Sequence, residues 1–164
     1  MLQLGKPSVR LDMRASRDNE ARVKVEPALP SDLPGIRRLL RSDDLPTEDL
    51  TEESLKLFQV VRDEKGVVGA IGIELREGNA LLRSLVVAQA QRKTGLGAGL
   101  VRAAEALAAT QSASSIYLLT TTAGKFFRRL GYRRVARSDV PAAIRDTAEF
   151  SSLCPSTAIV MVKS

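Results

Sequence analysis

A glycine-rich stretch near the middle of the chain has the composition of an anion-binding loop. Three glycines stand at alternate positions within Gly95–Gly99, directly after Arg92 and Lys93. Glycine lets the backbone approach a ligand closely, and the two basic side chains indicate that the ligand is anionic. The alanine-rich pattern that follows predicts a helix, whose first N–H groups, in Gly95–Ala98, have no partner within the helix. Because such a helix end also carries partial positive charge, the spacing predicts a phosphate site.

The composition narrows the chemistry that accompanies this loop. The chain has 164 residues, 44% hydrophobic, with a net charge of +6, one cysteine and no histidine. It therefore has no internal disulfide, no multi-cysteine zinc site and no imidazole base, and we expect no metal. No apolar run is long enough to span a membrane and no signal peptide is recognisable, so we expect a cytoplasmic protein without membrane partners.

The elements around the loop predict one mixed α/β domain. Residues 1–22 mix charges without a hydrophobic period and are expected to form a poorly ordered extension, and residues 23–164 to form a single domain. The domain begins with a strand in "VKVEPAL" and a helix in "SDLPGIRRLLRS", opened by Ser31 as N-cap. An acidic connection and a short helix are expected next, in "DDLPTEDLTEESLKLF".

The rest of the domain reads as a sheet with two further helices. "FQVVRDEKGVVGAIGIELREGNALLRSLVVA" predicts three strands joined by tight turns at "DEKG" and "REGN", an antiparallel meander. The glycine loop and its helix, to about Thr110, come next. A strand "SIYLLTTT", a helix "AGKFFRRLG", a strand "YRRVARS" and a last strand "TAIVMV" complete the order β α α β β β α β α β β.

The loop sequence excludes the two best-known phosphate-binding motifs and matches a third. The last glycine of a dinucleotide fingerprint would fall at Leu100 or Arg102, and no P-loop string occurs. Arg92–Gly97, "RKTGLG", fits the R/Q-x-x-G-x-G/A pattern of the acetyl-CoA loop in the GNAT family of N-acetyltransferases. The element order also resembles this family from about Val23 to Ser164. The resemblance implies an α+β fold with a mostly antiparallel sheet splayed between strands 4 and 5, and acetyl-CoA as cosubstrate.

The resemblance assigns cofactor-binding residues. N–H groups at Leu85, Val86 and Val87, exposed where strand 4 splays from strand 5, are implied to polarise the thioester and hold the pantetheine arm like an added strand. Phe127 stands where many members have a tyrosine that protonates the departing thiolate. The implied loop residues are Arg92, Lys93, Thr94, Gly95, Leu96, Gly97 and Ala98.

The two usual proton-handling residues of the family are missing. Phe127 has no acidic proton, and Leu81 and Leu82 stand where many members place a glutamate. The amine must still lose a proton, and Glu74 is the best candidate base because strand alternation points it away from the apolar run. Thr121, at the end of strand 5, is a candidate for orienting a water or the thioester. Each of these two residues also fits the role of an ordinary strand residue.

Other residues suit the acceptor substrate. Arg83 suits a substrate carboxylate or other oxyanion, or a place at the rim of the site, and Ser84 is grouped with it. The acidic segment Asp43–Glu53 fits an anionic lid that attracts a cationic amine, or a solvated helix start. "RSLVVA" and "YLLTTTAGKFFRRLGYRRV" look like a branch of the family associated with arsenic-resistance gene clusters. That branch implies a small amine-bearing molecule such as an amino-acid-like arsenical or phosphinic compound.

Several alternatives stay open at this point. Cys154 is either an arsenic-binding thiol or a small buried apolar residue. The missing tyrosine and glutamate also fit a non-catalytic CoA-binding sensor, and a homodimer would be ordinary for such a fold. A basic cluster allows a nucleic-acid-binding domain, although no aromatic residue interleaves it, and we expect no nucleic-acid partner. The cluster comprises Lys125, Arg128, Arg129, Arg133, Arg134 and Arg137.

Overall fold

A seven-stranded mixed sheet forms the centre of the molecule, with helices on both faces. The structure is a computed structural model that describes Leu2 and residues 24–164. The strand order is β1-β2-β3-β4-β5-β7-β6. The strands are β1 Val25–Pro27, β2 Phe58–Asp63, β3 Gly66–Arg76, β4 Asn79–Val87, β5 Ile116–Thr120, β6 Arg133–Val135 and β7 Ile159–Lys163. The helices are α1 Leu33–Ser42, α2 Leu96–Thr110, α3 Gly124–Arg129 and α4 Ala142–Arg145.

The predicted meander is confirmed, with tight turns where the sequence places them. β2 pairs with β3 and β3 with β4, both antiparallel, through turns at residues 63–66 and 76–79. Gly66 and Gly78 adopt positive φ angles of 127° and 80°, which glycine tolerates without strain. The turn residues thus set the register of the three longest strands.

The sheet opens between β4 and β5, as expected for the fold. The two strands are parallel and pair only at Ala80–Ile116 and Leu81–Tyr117. Beyond these pairs they diverge, whereas all five residues of β5 pair with β7 on the other edge. The gap therefore exposes backbone groups of β4 after Leu81 and of β5 after Tyr117.

A β-bulge lies in β4 beside this opening. Ala70 pairs with Val86 and Gly72 with Arg83, so that Ser84 and Leu85 together oppose the single residue Ile71. Ser84 has a φ of +58°, in the left-handed region that few non-glycine residues adopt. Such a bulge adds twist and re-aims the following residues. Here those residues are Leu85–Val87, at the splay.

The two long helices cover opposite faces of the sheet. The buried stripe of α2, Leu96, Leu100, Val101, Ala104 and Ala108, recurs every three or four residues and packs on Ile71, Ile73, Leu82 and Leu85. On the other face α1 packs through Ile36 and Leu40 against Phe58, Val60 and Val86. This core holds β3 and β4, the strands that lead to the opening.

The predicted N-cap of the first helix is wrong. α1 begins one residue later than expected, after a 3₁₀ turn Pro30–Asp32, so that Asp32 and not Ser31 occupies the N-cap position. Instead Asp32 accepts the Leu29 N–H at 2.7 Å and binds the Arg62 guanidinium, and this ion pair lowers the pKa of Asp32. In the stretch after α1, the expected acidic connection is followed by a short helix of 3₁₀ type, Ser54–Leu57.

Two expectations concern the amino-terminal extension and membrane-spanning segments. Residues 3–23, most of the predicted extension, lie outside it, and the proposed boundary at residue 22 stays a prediction. Among the described residues, no helix combines the length and apolar character that crossing a membrane requires.

Gly72 provides a test of how tightly β2 and β3 pack. A Cβ on Gly72 would stand 2.2 Å from the Phe58 ring, whereas one on Gly99 in α2 would meet nothing within 4 Å. We expect G72A to lower the free energy of unfolding by about 1–3 kcal/mol through overpacking. G99A should raise it by about 0.5–1 kcal/mol because alanine favours a helix. Denaturant titration measures both, and a G72A protein as stable as the parent would contradict this packing.

Candidate active site

The glycine loop opens α2 with a free helix end. Lys93 and Gly95 have φ angles of +65° and +84°, and Gly95 occupies the N-cap position without a side-chain hydrogen bond. Thr94 turns away, its Oγ1 donating to the Gln91 carbonyl at 2.6 Å. No described side chain caps the helix, so the N–H groups of Leu96, Gly97 and Ala98 face outward. The geometry matches a cradle for an anionic group.

Arg92 connects this loop to the edge of β4 and to the acidic segment. Its Nε donates to the Val87 carbonyl at 3.0 Å and its Nη2 to Asp43 Oδ1 at 2.6 Å. The expected cofactor residue is thus ion-paired within the chain. Lys93, next to it, stands on the positive-φ turn of the loop.

The backbone of Val87 faces the opening between β4 and β5. The Ala88 N–H donates to the Val68 carbonyl of the β3 side at 2.7 Å. Because N–H and C=O groups alternate in direction along a strand, those of Val87 point the opposite way. The bond from Arg92 to the Val87 carbonyl agrees. Val87 therefore presents an N–H to the gap, and Leu85 lies beyond the last β4–β5 pair. By the same alternation the Val86 N–H points toward β3, where Val86 pairs with Ala70, so the expectation that it is exposed at the splay is wrong.

Arg83 is the centre of a buried charge cluster. Its side chain is 1% exposed, so the prediction of a rim position is wrong. The guanidinium binds both oxygens of Asp49, one at 2.7 Å from Nη2, and donates to Glu74 Oε1 at 2.6 Å. Glu149, also 1% exposed, lies 3.6 Å from Nη2, and Nε donates to Ser84 Oγ at 3.0 Å. Three carboxylates thus surround one cation.

The pKa shifts in this cluster follow from the ion pairs. Burial acts to lower the pKa of Arg83, but the hydrogen bond to Asp49 and the charges of Glu149 and Glu74 outweigh it and raise the pKa. Burial acts to raise the pKa of Asp49, and Arg83 outweighs it, so that this pKa lies below its ordinary value. Both groups therefore stay charged at neutral pH.

A cavity of about 490 Å³ opens next to the cluster. Its charged lining comprises three carboxylates and two guanidinium groups: Asp49, Glu53, Glu74, Arg76 and Arg83. Glu74, the predicted base, has a side chain 17% exposed, and its Oε2 lies 3.1 Å from Arg76 Nη2. Glu74 is therefore a positioned carboxylate at the wall of a cavity, on β3 opposite Leu81 of β4 and bound to Arg83, which precedes the bulge at Ser84.

Phe127 and the threonines occupy different environments. Phe127 is fully buried, with its ring edge-on to Phe126 and Tyr132 at centroid distances of 5.0 and 5.5 Å. Burial raises the pKa of the Tyr132 phenol well above its ordinary value. Thr121, a predicted catalytic residue, follows β5 and is exposed, whereas Thr120 is buried and its Oγ1 accepts the Ala123 N–H at 3.0 Å.

Cys154 and the basic cluster lie apart from the loop. The Cys154 thiol donates to Glu149 Oε2 at 3.4 Å, and burial raises its pKa to about 11. It is therefore protonated at neutral pH, which disfavours metal or arsenic binding. Of the basic cluster, Arg137 binds the Ala158 carbonyl at 2.8 Å and lies 5.0 Å from the Phe150 ring centroid, while its other members are exposed.

Sequence reasoning missed the partners of Arg83. A single arginine inside the apolar run "NALLRSLVV" signals that a buried cation needs carboxylates nearby. The sequence offers no way to identify Asp49 and Glu149, which lie 34 and 66 positions away, as those partners. Of the acidic segment, Asp43 and Asp49 bind arginines, while Glu53 forms an exposed pair with Lys56.

Together, the splayed sheet and the free helix end define an acyltransferase of the CoA-dependent type. Residues 54–134 match the acetyltransferase (GNAT) domain family. An uncharacterised N-acetyltransferase of Chlorobaculum tepidum is 34% identical over 120 residues, which cover 71% of this chain and 76% of that protein. The chain belongs to the GNAT family of N-acetyltransferases.

Solved structures agree on the fold. N-acetylglutamate synthase from Neisseria gonorrhoeae, complexed with coenzyme A and N-acetyl-glutamate, superposes with a TM-score of 0.76 at 17% identity. The match covers 86% of this chain but only 34% of that protein, so the chain spans about a third of its length. Rv2747 from Mycobacterium tuberculosis, in complex with CoA and NLQ, gives a TM-score of 0.69 at 22% identity, covering 85% and 97% of the two chains.

Removing the buried cation of Arg83 should destabilise the protein more than removing an exposed one. R83M leaves Asp49 and Glu149 without their counter-ion and Glu74 with the half-exposed Arg76 alone, so we expect the free energy of unfolding to fall by about 3–5 kcal/mol. R76M is the matched control: Arg76 is 46% exposed and, among the described carboxylates, pairs with Glu74 alone, so the loss should stay below about 1 kcal/mol.

Denaturant titration of both variants at neutral pH measures the difference. Should R83M fail to fold, R83K replaces it in the test. Lysine keeps the charge but cannot bind both oxygens of Asp49 at once, so we expect R83K to be less stable than R76M and more stable than R83M. Equal losses in R83M and R76M would contradict a structural role for the cluster.

Proposed function

We propose that this N-acetyltransferase moves the acetyl group of acetyl-CoA to a small cationic amine bound in the cavity beside Arg83. The observation that carries the proposal is the surplus of carboxylates over guanidinium groups at that cavity. A site with this balance attracts positive charge and disfavours anions. The proposal places the reaction in the cytoplasm, and a homodimer stays a prediction.

Acetyl-CoA fits two features of the molecule. The N-terminus of α2 offers outward N–H groups without a described side-chain cap, which suits the pyrophosphate. Lys93 and Thr94 flank that end, and Leu85–Val87 border the opening where β4 leaves β5. The Val87 N–H suits the extended pantetheine arm. Phe127 is proposed to form an apolar floor beneath that arm, and it has no hydroxyl for proton transfer.

The acceptor is proposed to be cationic because Arg83 already has partners. Asp49, Glu74 and Ser84 accept its hydrogen bonds, and the guanidinium is buried. A substrate carboxylate, as in the amino-acid-like arsenical suggested by resemblance, would have to displace them. We therefore propose that Arg83 and Ser84 shape the acceptor site by holding Asp49 and Glu74 in place.

The chemistry is a direct transfer. The bound ammonium first gives one proton to Glu74 at the cavity wall, directly or through one water. The neutral nitrogen then forms a bond to the acetyl carbon, the bond from that carbon to sulfur breaks, and the sulfur leaves with the electron pair as a thiolate. The nitrogen loses its second proton, which neutralises the thiolate. We assign to Thr121, which is exposed just after β5, the role of orienting a water. Backbone N–H groups near Val87 stabilise the oxyanion, an effect worth roughly a hundredfold in rate or more per donor.

The second candidate is a sensor that binds CoA without turnover. The observation in its favour is that Phe127 and Leu81 replace the residues that usually handle protons in the family. Turnover with any amine separates the two functions.

A negative charge introduced at the N-terminus of α2 tests whether the glycine loop binds the pyrophosphate of acetyl-CoA. We expect wild type to bind acetyl-CoA and G95E to lose at least about a hundredfold in affinity, because it opposes the pyrophosphate and strains a positive φ. G78E is the matched control, since Gly78 also has a positive φ, 80°, in a distant turn. Calorimetry measures both. Unchanged affinity in G95E would mean that the loop has been misassigned.

The acceptor assignment is tested with a panel of polyamines, amino acids, basic peptides, and arsenical or phosphinic amino-acid analogues. We expect cationic amines to give the highest kcat/KM and to lose it as ionic strength rises. E74Q should lower kcat about a hundredfold near neutral pH, with a smaller loss at high pH where more amine is neutral. E77Q, the same change at an exposed turn, should have no effect.

CoA release is followed with a thiol reagent. An anionic analogue as best substrate would contradict the cationic site, and an E74Q enzyme as fast as E77Q would remove Glu74 from the mechanism. Binding of acetyl-CoA without turnover of any amine would favour the sensor.

A further inference from the structure

Leu2 lies in the opening between β4 and β5. Its N–H donates to the Leu119 carbonyl at 3.1 Å, and it forms a parallel bridge with Thr120. The Thr120 hydroxyl donates to the Leu2 carbonyl at 2.5 Å. Since β7 already occupies the other edge of β5 along its full length, Leu2 must pair with the edge that faces β4.

The side chain of Leu2 fills the same opening. It is 0% exposed and belongs to the core cluster that includes Leu85, Val87 and Phe127. Both the backbone and the side chain of Leu2 therefore use groups that border the proposed pantetheine path. A pantetheine arm offers similar chemistry, with amide groups along an extended chain and an apolar end.

We infer that the open edge of β5 at Leu119 and Thr120 binds an extended backbone, and that Leu2 and the pantetheine arm of acetyl-CoA compete for it. This inference rests on the proposed function. The chain's own residue satisfies the Leu119 carbonyl and the Thr120 hydroxyl in the absence of cosubstrate. Binding of acetyl-CoA then requires Leu2 to leave, which lowers the apparent affinity by the fraction of molecules in which the edge is open.

The first test measures acetyl-CoA affinity of the full-length chain by calorimetry. L2D disfavours burial of residue 2, so we expect its dissociation constant to fall at least about threefold relative to wild type. L29D is the matched control, because Leu29 is 55% exposed and its replacement should leave affinity unchanged. An L2D affinity equal to or weaker than wild type overturns the inference and makes Leu2 an ordinary core residue.

The second test follows residue 2 itself. In L2C combined with C154S, the only thiol is at position 2. We expect maleimide labelling to be slow without ligand and several-fold faster with saturating acetyl-CoA, which has no free thiol. Labelling that is unchanged or slower with acetyl-CoA overturns competition.

Failure of the competition and failure of the acetyl-CoA site give different results. A wild type that binds and turns over acetyl-CoA, with L2D no tighter, removes only the competition. A wild type and L2D that both fail to bind acetyl-CoA remove the cosubstrate site and the inference together.

Discussion

The short β4–β5 ladder is the constraint on which the functional part of the molecule depends. Pairing for two positions followed by divergence leaves backbone donors and acceptors facing a gap inside an otherwise continuous sheet. Buried backbone groups must find partners, so the gap requires occupants. Arg92 donates a hydrogen bond to the Val87 carbonyl on the β4 side, and the Leu2 N–H donates one to the Leu119 carbonyl on the β5 side. The opening is thus a place where the fold demands hydrogen bonds that the sheet itself does not supply.

The second requirement is a charge cluster that holds the opening in shape. Arg83 stands one residue before the bulge and fixes the segment containing Asp49, the wall formed by Glu74 and the start of the π-helix Glu149–Leu153. A buried ion pair contributes little net stability compared with apolar packing, but breaking one is costly. The role of the Arg83 cluster is to position three separate segments, because all three bind one side chain. The polar wall of the cavity follows from the same contacts that keep β4 bulged.

The sequence predicts the scaffold better than the site because the two depend on different ranges of interaction. Strand alternation, the turns at "DEKG" and "REGN", and the glycine loop are local patterns, and the structure confirms the meander, α2 and the splay. Ser31 fails as an N-cap because Asp32 is held by Arg62, a contact across 30 positions. The partners of Arg83 and the burial of Leu2 likewise depend on long-range contacts that no local pattern encodes. The roles of Glu74 and Thr121 remain proposals.

The absence of a tyrosine at Phe127 weighs less than it first seems, because the two proton transfers of the reaction differ in difficulty. A lysine-like amine with a pKa of about 10.4 is only about a thousandth neutral near pH 7.4, a penalty of roughly 4 kcal/mol. A departing thiolate with a cysteine-like pKa of about 8.5 is protonated by solvent at that pH without such a penalty. The demanding step is deprotonation of the amine, which the proposed function assigns to the carboxylate-rich cavity. Loss of a hydroxyl at Phe127 is therefore compatible with catalysis, and the acid-base question rests on Glu74 and its neighbours.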